Sequence, residues 1–125
     1  MGVRALVYDT FRGPINVRDV PDVTAPPGGV VVRVAATGVC RSDWHGWQGH
    51  DADITTFPHV PGHELAGTVA SLGAGVERWQ VGDRVTVPFI NACGSCRQCV
   101  DRDHQVCARQ RQPGFTHWGA MAELV

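Results

Sequence analysis

Short apolar runs broken by glycine and proline dominate the chain: Ala5 to Tyr8, Ile15 to Asp19, Val30 to Ala36, Gly67 to Leu72, Arg84 to Val87 and Ala120 to Val125. β-Branched residues in runs this short, bounded by turn formers, predict strands. No stretch keeps a helical period for three turns, so long helices are not expected. Fifteen glycines and eight prolines punctuate the runs and favour an antiparallel, mostly β domain. Asp22 to Gly29 (DVTAPPGG) predicts a loop entering a strand. Asp51 to Pro61, with its two prolines and few apolar residues, predicts a surface loop. No internal repeat, low-complexity tract or interdomain linker interrupts the pattern.

A chain of 125 residues fits one domain with a core of its own. Its formal charge of -1 is spread without a basic stripe or an acidic tail, which argues against a nucleic-acid or membrane-surface partner. The N-terminal MGVRALVYDT has no apolar run of signal-peptide length, so a cytoplasmic protein is expected. In a reducing compartment, five closely spaced cysteines favour metal ligation over disulfides, and an odd number cannot pair completely.

Gly73-Ala74-Gly75-Val76-Glu77-Arg78 starts like a dinucleotide-binding fingerprint, but Arg78 stands where the third glycine belongs. The following Trp79-Gln80-Val81-Gly82-Asp83 reads as a turn, without the helix whose amides would hold a pyrophosphate. A glycine-rich bend between strands is the expectation there.

Cys93, Cys96, Cys99 and Cys107 form C-x2-C-x2-C-x7-C. Four thiolates in a tight loop suit tetrahedral zinc in a closed structural site with no position open to chemistry. Iron-sulfur runs use similar first gaps but place the fourth cysteine sooner and follow it with proline, where this chain has Ala108. Free thiols at this density would be an oxidation hazard. The loop has almost nothing apolar to bury, so without metal it is expected to be disordered.

Cys40 stands apart, in Gly38-Val39-Cys40-Arg41-Ser42-Asp43-Trp44-His45. A single cysteine at a strand end is ordinarily a small buried hydrophobe. Against that stands Gly62-His63-Glu64-Leu65, which sets two zinc-ligand types side by side behind a Pro-Gly turn. Brought together with Cys40 they would form a second, more open site able to admit water or substrate.

The set G-V-C-R-S-D-x-H, then G-H-E-x-x-G at 62 to 67, G-D-R-V at 82 to 85 and the four-cysteine loop resembles the zinc-dependent medium-chain alcohol dehydrogenase family, in its GroES-like catalytic domain. The resemblance runs across essentially the whole chain in the same order. It implies a GroES-like antiparallel β-barrel-like fold over residues 1–125, with a structural-zinc lobe at about 91–110. It implies that Cys40 and His63 hold a catalytic zinc, with Glu64 the neighbouring acid that exchanges with the water of the metal. Ser42 resembles the hydroxyl that takes the proton of an alcohol, His45 the next member of that relay on the cofactor side, and Asp43 the carboxylate that fixes His63. Arg41 is similar to the residue that meets the cofactor pyrophosphate, and Trp44 and Phe89 to positions beside the substrate.

Taken without the family frame, Ser42 and Asp43 are a local turn cap, His45 an exposed polar side chain and Arg41 a solvated charge. His50, His59, His104 and His117 receive no role, and Trp47, Trp79 and Trp118 are expected in core or pocket walls. The family continues into a Rossmann domain for NAD or NADP and takes its fourth catalytic-zinc ligand from that continuation. No complete fingerprint lies in these residues, so the chain alone is expected not to turn over. The implied reaction oxidises a small alcohol to an aldehyde or ketone, or the reverse, in a full-length protein able to form homo-oligomers. The competing expectation is a non-enzymatic zinc module with only the four-cysteine site filled.

Overall fold

The computed structural model describes residues 2–125. Five strands form two antiparallel sheets. β1 (Val3–Val7) pairs with β2 (Asn16–Val20), and β3 (Val30–Thr37), β4 (Leu65–Leu72) and β5 (Arg84–Thr86) pair in that order. The mostly β architecture expected from the apolar runs is present, with strand ends shifted by a few residues. Two helices, α1 (Arg41–Gln48) and α2 (Arg97–Val100), and a 3-10 turn at His104–Val106 complete the elements.

Alternation explains the packing of β1: Val3, Ala5 and Val7 face inward while Arg4 faces out. With Val20 and Val60 they form one apolar cluster, against which Trp118, Ala122 and Leu124 pack. A second cluster joins Val32, Leu65 and Ala120, flanked by Val34, Val85 and Val87. The expected last strand, Ala120 to Val125, takes a different form. The Leu6 amide donates to Met121 O and the Glu123 amide to Arg4 O, whereas Val32 and Val125 exchange amide bonds with each other and the Val34 amide donates to Glu123 O. The segment is wedged between β1 and β3 and divides its bonds between them. Regular pairing with either is lost, and the two sheets are joined.

Asp51 to Pro61 is a surface loop only in part: Thr55 to Pro58 are exposed, but its last residues, His59 to Pro61, are interior. Ile54, His59 and Val60 are buried. His59 bridges Tyr8 through two backbone bonds, and the 60–62 segment accepts amides from Gly119, Met121 and Ala120 in turn. Asp22 to Gly29 and the Gly73–Arg78 bend are loops, as expected.

Helix α1 was not foreseen, and the reason is physical. Its buried positions are Asp43 and Gly46, so the face turned inward is polar and small. Apolar periodicity cannot register such a helix.

Candidate metal centres and proton-handling residues

Cys40 caps α1 in extended conformation (φ -110°, ψ 155°). The Asp43 carboxylate reaches back and accepts the Cys40 amide through Oδ2 at 3.0 Å, the return half of a capping box. Its other oxygen, Oδ1, accepts the Gly62 amide at 3.1 Å and lies 3.3 Å from His63 Nδ1. One buried carboxylate therefore ties the start of α1 to the segment carrying His63. The local cap and the histidine partner, two alternative roles for Asp43 in the sequence, coexist in one side chain.

Gly62 gives His63 its direction. Its φ of +108° is closed to side-chain-bearing residues, and a Cβ there would meet Met121 N at 2.7 Å. With Nδ1 turned to Asp43, His63 presents Nε2 outward, 3.9 Å from Glu64 Oε1. Cys40, His63 and Glu64 each offer one donor atom, and the three atoms lie within 4.8 Å of one another. Sulfur, imidazole and carboxylate are all zinc donors, and three protein donors leave a position open. The Cys40 thiol also points at Ser42 Oγ, 3.6 Å away.

A groove of about 460 Å3 opens beside these donors, lined by Ser42, His63, Glu64, Leu65, Thr86, Val87 and Phe89. Phe89 stands edge-on to the His63 ring at 5.3 Å between centroids, and Phe115 packs against both, 5.3 Å from His63 and 5.6 Å from Phe89. Leu65, Thr86 and Val87 are lining residues that received no site role from the sequence. Trp44 lies outside this groove. Its ring is edge-on to His45 (4.9 Å) and His50 (5.8 Å), and the Arg41 guanidinium sits 5.6 Å from its centre. His45 Nδ1 is 2.9 Å from His50 Nδ1, so His50, given no role in the sequence, joins a candidate site residue directly.

The four remaining cysteines gather in a separate lobe. Their sulfurs lie 3.9 Å apart for Cys93–Cys99, 3.5 Å for Cys96–Cys99 and 3.8 Å for Cys96–Cys107. Four sulfurs about 2.3 Å from a central zinc would stand ~3.8 Å from one another, so the spacing fits that ion. The amides of Ser95 and then Cys96 pull the Cys93 thiol down to about 5, and the Cys99 amide is the first cause lowering Cys96. Burial pushes Cys99 up to about 12. Amides aimed at sulfur favour the thiolate, the form a metal binds.

By fold and donors, this is a β domain with two clusters of side chains of metal-ligand type, Cys93, Cys96, Cys99 and Cys107 in one and Cys40, His63 and Glu64 in the other. The family model described as alcohol dehydrogenase GroES-like domain matches residues 26–125. Alcohol dehydrogenase 1 of Caenorhabditis elegans is 37% identical over 123 residues, covering 98% of this chain and 35% of that protein. The solved structure of a cobalt- and zinc-bound thermostable alcohol dehydrogenase from Pyrobaculum aerophilum aligns with a TM-score of 0.90 at 30% identity, over 100% of this chain and 39% of its own. That of an NAD-dependent alcohol dehydrogenase aligns at 0.87 and 31% identity, over 98% and 36%. The chain belongs to the alcohol dehydrogenase family and has the fold of its GroES-like domain. It spans about a third of the length of the curated relatives it matches. Among the described residues, no helix is long and apolar enough to cross a membrane.

Proposed function

We infer that residues 1–125 are the catalytic domain of a zinc-dependent alcohol dehydrogenase that interconverts a small alcohol with its aldehyde or ketone. One observation carries this reading: Cys40, His63 and Glu64 converge to within 4.8 Å while Asp43 holds the far nitrogen of His63. Cys40 and His63, with Glu64 as an exchangeable third donor, would hold the catalytic zinc, and the Cys93, Cys96, Cys99 and Cys107 lobe the structural one. When bound at the first site, zinc supplies Lewis acidity that lowers the pKa of an alcohol beside it.

The chain's own residues do the rest. Asp43 fixes the tautomer of His63, so that Nε2 and not Nδ1 faces the groove. Ser42 lines the groove and accepts the hydroxyl proton of the alcohol. His45 lies three residues further along α1, on the same helical face as Ser42, and takes that proton onward. Leu65, Val87 and Phe89 give the groove an apolar wall suited to the carbon side of a small alcohol.

A nicotinamide, NAD or NADP, supplies the hydride acceptor in this class of reaction, and Arg41 is the residue here suited to its pyrophosphate. The Gly73–Arg78 bend does not make a phosphate cradle, because the third glycine and the following helix are both lacking. Residues 1–125 alone are therefore expected to show no alcohol-dependent NAD(P)H formation.

Metal counting tests the reading. Two zinc ions per chain, falling to one in Cys40→Ser and in His63→Ala, support it. One zinc per chain, unchanged in those variants, would leave a non-enzymatic module built on the four-cysteine lobe.

A further inference from the structure

We propose that His50 is the solvent-side partner of His45, and that the two imidazoles handle one relay proton as a pair. This rests on the reading of His45 as a proton carrier.

The juxtaposition is built by the end of α1. Gly49 adopts the left-handed conformation (φ 84°, ψ 19°) and turns the chain back on the helix. The Gly49 amide then donates to Gly46 O and the His50 amide to His45 O, both at 3.0 Å. His45 and His50 are thus fastened at the backbone before their side chains meet at 2.9 Å, Nδ1 to Nδ1. The Trp44 ring braces both imidazoles edge-on. His50 itself is exposed. The charged groups flanking the pair along the chain are Arg41, stacked on Trp44, and Asp51, whose Oδ1 accepts the Asp53 amide.

Two ring nitrogens at this distance can share only one hydrogen. If both carried N–H they would be two donors facing each other; if neither did there would be no bond. The pair therefore holds one N–H between the Nδ1 atoms, leaving His45 Nε2 to meet a proton coming from Ser42. A proton arriving at His45 Nε2 moves the shared hydrogen from His45 Nδ1 to His50 Nδ1, and His50 releases its own Nε2 hydrogen to water. One proton enters and one leaves, and the bond between the rings now runs in the opposite sense. The reverse passage restores the first state and serves the reverse reaction.

The test is imidazole-detected 15N NMR on the 125-residue chain, comparing wild type with His50→Gln and His50→Phe. In wild type both Nδ1 shifts should lie between those of a protonated and an unprotonated ring nitrogen, and His45 ring N–H should exchange quickly with water. His50→Gln keeps a hydrogen-bonding side chain that does not titrate. It should move the His45 Nδ1 shift out of that intermediate range and slow that exchange several-fold. His50→Phe should do the same and also broaden the orientation of the His45 ring. Nδ1 shifts of ordinary, unshared ring nitrogens in wild type, or His45 exchange unaltered in His50→Gln, would overturn the proposal. Zinc content should be unchanged in both variants, so failure here and failure of the two-zinc reading appear in separate measurements.

Discussion

The two donor clusters differ in what holds them together. Cys40, His63 and Glu64 sit on irregular segments that the fold fixes by a helix cap, a buried carboxylate and a glycine turn locked under the C-terminal segment. The cysteine lobe has a one-turn helix, a 3-10 turn and a surface rich in exposed residues, and its interior is mainly the sulfurs of Cys99 and Cys107. In the first cluster the protein supplies the scaffold around the donors; in the second the lobe has little besides the sulfurs to hold it. On the proposed reading, a closed and an open zinc site would follow from where each cluster draws its stability.

Metal removal should break this contrast most visibly. Structural zinc contributes about 10–16 kcal/mol in small zinc-folded peptides, far more than the few apolar contacts of the lobe. Chelation, or Cys107→Ser, is expected to abolish amide protection across residues 93–107 while the β1 and β4 amides stay protected. Hydrogen exchange read residue by residue checks this. A lobe that keeps its protection in excess chelator would remove the distinction between the two clusters.

Asp43→Ala tests the protein-built side. It strips the partner from the Cys40 amide, the Gly62 amide and His63 Nδ1 at once. At about 1–3 kcal/mol for each buried donor left unpaired, a loss of ~3 kcal/mol in urea unfolding is expected, the exposed part of the site moderating the sum. Affinity at the Cys40 site should fall by about 10–100-fold, the usual cost of losing the carboxylate behind a metal-binding histidine. Amide protection in the cysteine lobe should not change, and its loss would show the clusters to be coupled. Gly62→Ala should cost less, about 1–3 kcal/mol, from the strained φ and the contact with Met121 N.

How much of this was legible in the sequence follows the same division. The cysteine spacing, the His63-Glu64 pair and the β-branched runs are local patterns, and each reads directly from neighbouring residues. Helix α1 was hidden because Asp43 and Gly46, not apolar side chains, face its interior. His50 was passed over because its approach to His45 depends on a left-handed turn at Gly49 and not on spacing along a helix. The Ala120–Val125 run was recognised as extended, but its division between two sheets is a tertiary fact. Likewise nothing in Asp51–Pro61 announces that His59 and Val60 lie under Trp118 to Met121.

That buried histidine layer supplies the smallest expected effect and sharpens the comparison from beneath the protein-built cluster. His59 is buried, with Nε2 donating to Gly114 O at 2.8 Å, and burial lowers its pKa despite that bond. His117 is lowered further, to about 4, first by burial and then by Arg111 and His59. Both are therefore neutral in the fold at pH values where the unfolded chain already binds protons. Between about pH 6.5 and pH 4 the unfolded state carries more protons, so stability is complete above the unfolded value and falls as the solution is acidified. Urea midpoints of the zinc-free chain should decline across that window, and His117→Gln should flatten the decline without altering it above pH 7. Residues 112–120 pack directly on Gly62, so loosening them should weaken metal binding at Cys40 and His63 in the same range. A decline of equal slope in His117→Gln would show that acid acts elsewhere, and that this layer does not support the open site.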